Sequence, residues 1–265
     1  MCHVNKLITL PLIILLLFSG CSSDAERTNT LVNVFIVGAP ANFDEVWVEV
    51  LGVEVQSVGT RGQDNADPKF FPNDQVIKRI NVGALVGESQ FLIGRGEIPS
   101  GSINNITLKL GDDNFTITEG ERTNLVLIED SPSVDMSLTV DPGLSIDLFI
   151  DFEVFRSIRT GEGSSLELSP KIRAFSSLNT GKISGGIRPQ TEKVILFAVQ
   201  SRDTVAATGT VQNSGNFQFR GLSGNHRIIV QPLSQAFLSD TLNNVNVGPR
   251  QTTQVGNITL RPRGE

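Results

Sequence analysis

The tightest constraint on this chain is a stretch in which every second residue is a valine: Val46, Val48 and Val50, with Trp47 and Glu49 between them. Successive side chains of an extended strand point to opposite faces, so this spacing buries one face and leaves the other partly exposed. β-Branched side chains also lose less rotamer freedom in a strand than in a helix. Beyond Gly52 the valines shift from even to odd positions, at Val53 and Val55. One extra residue at Leu51-Gly52, a β-bulge, would return them to the same face.

The period of two recurs along most of the chain. It predicts strands over Leu31 to Val37, Val76 to Val82, Gln90 to Ile98, Ser102 to Leu110, Phe115 to Thr118, Thr123 to Ile128 and Val134 to Val140. The separators Pro99-Ser100-Gly101, Gly111-Asp112-Asp113-Asn114 and Glu119-Gly120-Glu121 carry turn chemistry. Ile146, Leu148, Ile150 and Phe152 form another buried face, with Asp147, Phe149 and Asp151 opposite. Glu153 to Ile158 reads as a short helical turn. Leu166, Leu168 and Ile172 resume a strand whose Pro170 suits an edge position. Short strands with such breaks predict an all-β fold of β-sandwich-like domains. A composition shift near Ser176 to Thr180 divides the chain into a first domain over 31–177 and a second over 180–260.

Residues 1–20 read as a signal peptide: Lys6, an apolar run from Leu7 to Phe18, then Ser19-Gly20 before Cys21. The run contains Pro11 and falls short of the roughly 20 apolar residues that span a bilayer. Phe18-Ser19-Gly20-Cys21 resembles the lipobox of bacterial lipoproteins, which implies that the Cys21 thiol is alkylated with diacylglycerol and becomes the new N-terminus. Residues 21–30 then form a polar tether, and its Asp24 and Glu26 resemble surface-export signals. The expected location is the outer membrane, by lipid anchor, extending to the cell surface, with the bilayer itself as one partner.

Cys2 and Cys21 are the only cysteines, so the folded part has no disulfide, catalytic thiolate or cysteine metal site. His226 is the only histidine outside the leader, which removes histidine-rich zinc sites and leaves a Ser-His-Asp triad little support. No cofactor is expected. A formal charge of −6 without a Lys/Arg run gives no footprint for nucleic acid.

Two stretches carry a family resemblance. Val37-Gly38-Ala39-Pro40-Ala41-Asn42-Phe43-Asp44-Glu45-Val46-Trp47-Val48 and Asp151-Phe152-Glu153-Val154-Phe155-Arg156-Ser157-Ile158, with Leu168-Ser169-Pro170-Lys171-Ile172 closing the domain, resemble the lipoprotein family called domain of unknown function 4382. Gly38 stands where that pattern has an aspartate before Ala-Pro. The resemblance implies an envelope lipoprotein and brings no catalytic or binding residues with it. Gly181-Lys182-Ile183-Ser184-Gly185, Val194 to Val199, Gly215-Asn216-Phe217-Gln218-Phe219 and Gly221-Leu222-Ser223-Gly224 resemble the carboxypeptidase regulatory-like, transthyretin-like β-sandwich. That layout implies structural glycines and a packed or edge role for His226.

Candidate site residues are few. Trp47 is a packing residue or a stacking platform, and Phe70 and Phe71 join it as candidate ligand-binding aromatics. The least strand-like stretch, Gly59 to Asp74, holds Asp64, Asn65, Asp67, Asn73 and Asp74; no metal is expected, and Asp64, Asp67 and Asp74 are weak candidates only. Asp112-Asp113-Asn114 reads as a plain hairpin turn. Asp147 and Asp151 lie about 13 Å apart along an extended strand, too far for a retaining glycosidase pair, and are expected on a solvated face. Asp203-Thr204-Val205 and Asp240-Thr241-Leu242 resemble bacterial O-glycosylation triplets and mark surface loops. The expected function is a non-catalytic binding or adhesion accessory module for glycan or protein. The alternatives are a carboxylate-only glycoside hydrolase and a structural envelope assembly subunit.

Overall fold

The computed structural model describes residues 29–40, 42–59 and 68–264. The leader, Cys21 and most of the tether, together with Asp64, Asn65 and Asp67, lie outside the described residues.

The first strands are β1 (Asn29–Gly38), β2 (Glu45–Gly59), β3 (Lys69–Pro72), β4 (Arg79–Asn81) and β5 (Phe91–Pro99). They are followed by β6 (Gly101–Leu110), β7 (Phe115–Thr118), β8 (Glu121–Leu127), β9 (Ser133–Val140) and β10 (Ser145–Phe152). A single helical turn, α1 (Val154–Ser157), leads to β11 (Ile158–Thr160), β12 (Leu166–Leu168) and β13 (Ile172–Ser176). These strands make a four-stranded sheet, β13-β10-β1-β5, and a larger one ordered β11-β12-β8-β7-β2-β6-β9, with β3 and β4 also on β2. The alternating valines of β2 and the isoleucines of β1, β6 and β10 meet between the two sheets in one buried core. An all-β sandwich is therefore what the alternation builds.

The bulge in β2 falls where the valine phase changes. Val50 pairs with Leu110 and Gly52 with Lys109, so Leu51 is looped out and exposed while Val50 and Val53 are both buried. Gly52 is needed for the close approach: a Cβ there would lie 2.5 Å from the Phe71 carbonyl oxygen.

Three expectations need correction. Lys69–Pro72 is a strand paired with β2, not loop, because Phe71 is drawn into the core. Its ring lies across β5 at Gly94 and Gly96, where a Cβ at Gly96 would sit 2.2 Å from Phe71 Cε1. Of Val76 to Val82 only Arg79–Asn81 is strand, and Val76 is 99% exposed. Buried Asn73 turns the chain away there: its Nδ2 donates to the Val50 carbonyl at 2.9 Å and its Oδ1 accepts from Gln75 N–H at 3.2 Å. Pro170 is not within an edge strand; it lies between β12 and β13, which belong to different sheets.

After Thr180 come β14 (Gly181–Arg188), β15 (Val194–Gln200), β16 (Asp203–Gly209), β17 (Asn216–Leu222), β18 (Gly224–Pro232), β19 (Asp240–Val247) and β20 (Thr252–Thr259). They form a three-stranded sheet, β17-β14-β20, and a four-stranded one, β16-β15-β18-β19. Ile183, Ile187, Phe217, Phe219, Ile228 and Val230 fill a second core between them, separate from the first. His226 is buried, and its Nε2 lies 3.1 Å from the Ser223 carbonyl oxygen, a packed arrangement.

Replacing Gly96 by alanine forces the Phe71 ring aside and is expected to cost about 1–3 kcal/mol in urea denaturation. In a Phe71→Ala background, itself destabilised by about 3–5 kcal/mol, the Gly96→Ala increment should shrink. Equal increments in the two backgrounds would show that the glycines of β5 are not there to admit this ring.

Candidate functional site

The three aromatics singled out in the sequence do not come together. Trp47 stacks on Phe115 at 6.0 Å between ring centroids, and the Arg122 guanidinium covers Phe115 3.8 Å from its centroid. Trp47 Nε1 donates to the Glu45 carboxylate at 2.5 Å. Phe70, opposite Glu54, is 49% exposed. Seven residues of β2 separate that point from Trp47, roughly 23 Å of extended chain. Phe71 is 5% exposed and belongs to the core. A shared platform is excluded by this geometry. Asp74 is exposed. Asp113 takes Arg79 and Arg122, at 3.0 and 2.8 Å, and buried Asn114 accepts from Glu49 N–H at 2.9 Å, so the hairpin turn is also a clasp on β2.

The groups that do converge lie where the two cores face each other. Strand alternation turns Ile183, Phe217 and Phe219 into the second core, so the residues between them face the first sandwich. Arg220, Lys182 and Thr252 are paired across β17, β14 and β20. Gln218, Ser184 and Gln254 form the next row, and Asn216, Gly186 and Asn257 the third. Opposite stand Val37 to Pro40, at and just beyond the end of β1, with Val86 and Gly87. Between these walls is a cleft of about 430 Å³.

A polar seam fixes the width of the cleft. Arg173, paired with Asp151 across β13 and β10, donates to Asp151 Oδ2 through Nε at 2.9 Å and Nη2 at 2.5 Å. The same guanidinium donates to the carbonyls of Gly221, at 3.1 Å, and Arg220. Asp151 is thus 7% exposed, not solvated as the alternation suggested, because Arg173 stands directly beside it. Asp147 does face solvent and accepts from Asn33 at 2.8 Å. Arg220, 8% exposed, donates to the carbonyls of Ser89 at 2.9 Å and Leu85 at 3.3 Å. Burial pushes its pKa down, opposed by the charges of Asp151 and Glu88. Lys182 and Glu88 pair at 2.6 Å, which together with Gln218 holds the Glu88 carboxyl below its ordinary range.

At the other side of the seam, Glu153 precedes α1 and is 4% exposed. Its Oε1 accepts from Ala207 N–H at 3.0 Å and its Oε2 from Arg156 at 2.6 Å. Burial pushes the Glu153 carboxyl up, aided by Asp151, while Arg156 and Arg173 oppose it. Glycines allow the close contact: a Cβ at Gly209 would be 2.4 Å from the Pro40 carbonyl oxygen, and one at Gly221 2.2 Å from Phe175 Cγ. Alternation alone did not mark this seam, because Arg173 reaches Arg220 and Gly221, and Glu153 reaches Ala207, across about fifty residues of sequence.

An all-β protein of paired sandwiches with a polar cleft between them is the class that this geometry defines. The family described as Domain of unknown function (DUF4382) matches residues 29–170, more than half of the chain, and the chain belongs to it. The two stretches that suggested the family meet at this seam, with Val37 beside Asp151 and Gly38 beside Phe152 on parallel strands. A Cβ at Gly38 would lie 2.2 Å from the Val82 carbonyl oxygen, so an aspartate is sterically excluded there without local movement. No curated protein matches the sequence. Among solved structures the chain is similar to the Bacillus anthracis TIE protein, with 7% identity over 89% of this chain and 34% of that one, at a TM-score of 0.24. It therefore spans about a third of that protein's length. The fimbrial anchor protein Mfa2 from Porphyromonas gingivalis is 9% identical over 86% of this chain and 90% of its own, at a TM-score of 0.23. The major pilin protein T-13 from Streptococcus pyogenes is 9% identical over 88% and 97%, at 0.18.

Two substitutions test the seam. Arg173→Met leaves Asp151 buried without its partner and is expected to cost about 3–5 kcal/mol by chemical denaturation, much more than Arg79→Met on the exposed clasp. Glu153 binds its proton more tightly folded than unfolded, so its favourable contribution is fully present at acid pH and fades as pH rises from the ordinary carboxylate range through its raised value. Glu153→Gln keeps an acceptor for Ala207 N–H and abolishes that titration. Its thermal stability should therefore fall less than wild type's as the pH rises above the ordinary carboxylate range. An unchanged slope would show that Glu153 is not held in this environment.

Proposed function

We propose that this protein is a lipid-anchored envelope module that binds a glycan or protein ligand, without catalysis, in the cleft between its two sandwiches. The observation that carries the proposal is the cleft itself. Its walls belong to separate cores and are fixed by buried charge-assisted hydrogen bonds, which suits a preformed site on a rigid scaffold. Residues 180–260 serve in this reading as a carboxypeptidase regulatory-like accessory domain supplying the polar wall. Anchoring follows from the lipobox resemblance at Cys21, and several acyl chains at about 0.8 kcal/mol per buried methylene would hold the module on a bilayer.

The non-catalytic reading is supported by the make-up of the lining. Glycoside hydrolysis by carboxylates requires two of them across the scissile bond, about 5–5.5 Å or 6.5–9.5 Å apart. Among the described residues lining the cleft, Asp151 is the one carboxylate, and Arg173 already occupies it.

Cells fed radiolabelled palmitate should incorporate label into the wild-type protein and none into Cys21→Ala, which should leave the membrane fraction. Protease added to intact cells should degrade the anchored protein if it faces outward. Full-length protein in detergent should retain a specific glycan or envelope protein. A chain that takes no label, or one that captures nothing on both a glycan array and an envelope pull-down, would overturn the corresponding half of the proposal.

A further inference from the structure

Beyond the row of Arg220, Lys182 and Thr252, the polar wall is made of amides, a hydroxyl and a glycine, and this composition narrows the ligand class. Resting on the binding-module reading above, we infer that the cleft is a saccharide site, taking a short neutral oligosaccharide or the end of a glycan chain between the amide rows of β14, β17 and β20 and the apolar strip at Pro40 and Val86.

Gln218, Gln254, Asn216 and Asn257 each present two N–H donors and a carbonyl acceptor, and Ser184 adds a hydroxyl that does both. They sit on a lattice of about 4.8 Å between strands and about 6.6 Å between alternate residues. Neutral groups that both donate and accept suit the hydroxyl edge of a sugar, where each oxygen also does both. At the centre is Gly186, and the Asn257 Oδ1, Arg188 Nη1 and Asn216 Oδ1 atoms lie 2.5, 3.3 and 3.5 Å from where its Cβ would be. Two amides therefore converge over a bare backbone, with the Arg188 guanidinium beside them.

Hydrogen-bonding capacity is left over. Ser184 Oγ and Gln218 Oε1 are buried and have no partner within the protein. Most buried polar atoms are satisfied, and these two, of four such side-chain atoms among the described residues, are neighbours in one row of the cleft wall. The nearby charges are committed elsewhere: Lys182 to Glu88, Arg173 to Asp151, Arg220 to the Ser89 and Leu85 carbonyls, and Arg188 to the Ile187 carbonyl at 2.8 Å.

The opposing wall is of a different kind. Pro40 and Val86 are half-exposed and apolar. An amide wall facing an apolar one fits a pyranose, which has a hydroxyl edge and C–H faces. A peptide fits less well, because it would need apolar pockets for anchoring side chains, and Phe217 and Phe219 are turned into the core. The volume of about 430 Å³ is that of a small-molecule site.

The test uses full-length protein in detergent on a printed array of neutral and uronate-containing oligosaccharides, followed by titration calorimetry with the strongest-binding probe. A neutral oligosaccharide should bind, and its affinity should fall at least tenfold in the Asn216→Ala/Asn257→Ala double variant while Phe70→Ala leaves it unchanged. Both asparagines are exposed, so the fold should survive, as circular dichroism would verify; Gln254→Leu provides a second, independent variant. Oligosaccharide bound equally by all variants would place recognition outside the cleft and overturn the inference. So would an absence of saccharide binding together with an envelope protein photocrosslinked through position 254, an outcome that leaves the binding-module reading intact. If neither saccharide nor protein engages the cleft, both readings fail.

Discussion

The buried pair of Arg173 and Asp151 is the interaction on which the arrangement of the two sandwiches depends. Its two strands lie side by side in the first half, yet the guanidinium reaches carbonyls of the second. A carboxylate as buried as Asp151 would be costly alone, and Arg173 offsets that cost with two hydrogen bonds to one oxygen. Two of the three remaining guanidinium protons find the Gly221 and Arg220 carbonyls, so few charge-bearing atoms at the seam lack a partner. Such a pair contributes position more than net stability, since its desolvation consumes much of its attraction. Position is what a cleft between two separately cored units requires.

Much of the fold could be read from alternation because each strand writes its own inward face. Val46, Val48 and Val50 are buried and Trp47 is not, and the phase change at Gly52 is the bulge that the valines implied. The short helical turn after Phe152 was also legible from local sequence. Where local pattern failed, a long-range contact decided. Phe70-Phe71 reads as loop because it lies among acidic and amide residues, and only Gly94 and Gly96, some twenty residues further on, create the slot that makes it strand. Val76 and Ile77 read as strand because they are apolar, yet Asn73 holds the backbone in a turn there.

The site was less legible than the fold for the same reason. Periodicity says which face of a strand is buried against its own core, and it places Asn216, Gln218 and Arg220 outside that core. It cannot say that a second sandwich lies opposite them. Asp151 shows the limit well: the alternation correctly puts it away from the Ile150 and Phe152 face, and burial comes from the neighbouring strand and the other half of the chain. The aromatics drew attention because a lone tryptophan and paired phenylalanines are chemically conspicuous, but Phe71 is taken into the core while Trp47 and Phe70 stay outside it at separate points of the sheet.

Glycine ties these levels together. Gly209 and Gly221 let backbone and ring pack across the seam with no side chain between, and Gly186 makes room in the polar wall for the Asn257 amide to fold over the backbone. Gly38, the departure from the family pattern, belongs to the same economy of space. It sits at the end of β1, against the Val82 carbonyl, one residue past the strand partner of Asp151. Its missing Cβ would point to the Phe152 side of the sheet, into the backbone of Val82, whereas Asp151 and Arg173 lie on the opposite side. Asp151 and Glu153 depend instead on the arginines of the seam, Arg173 and Arg156. The glycine therefore lets the end of β1 lie close against Val82 in the first core, and so positions the strand that carries one edge of the cleft.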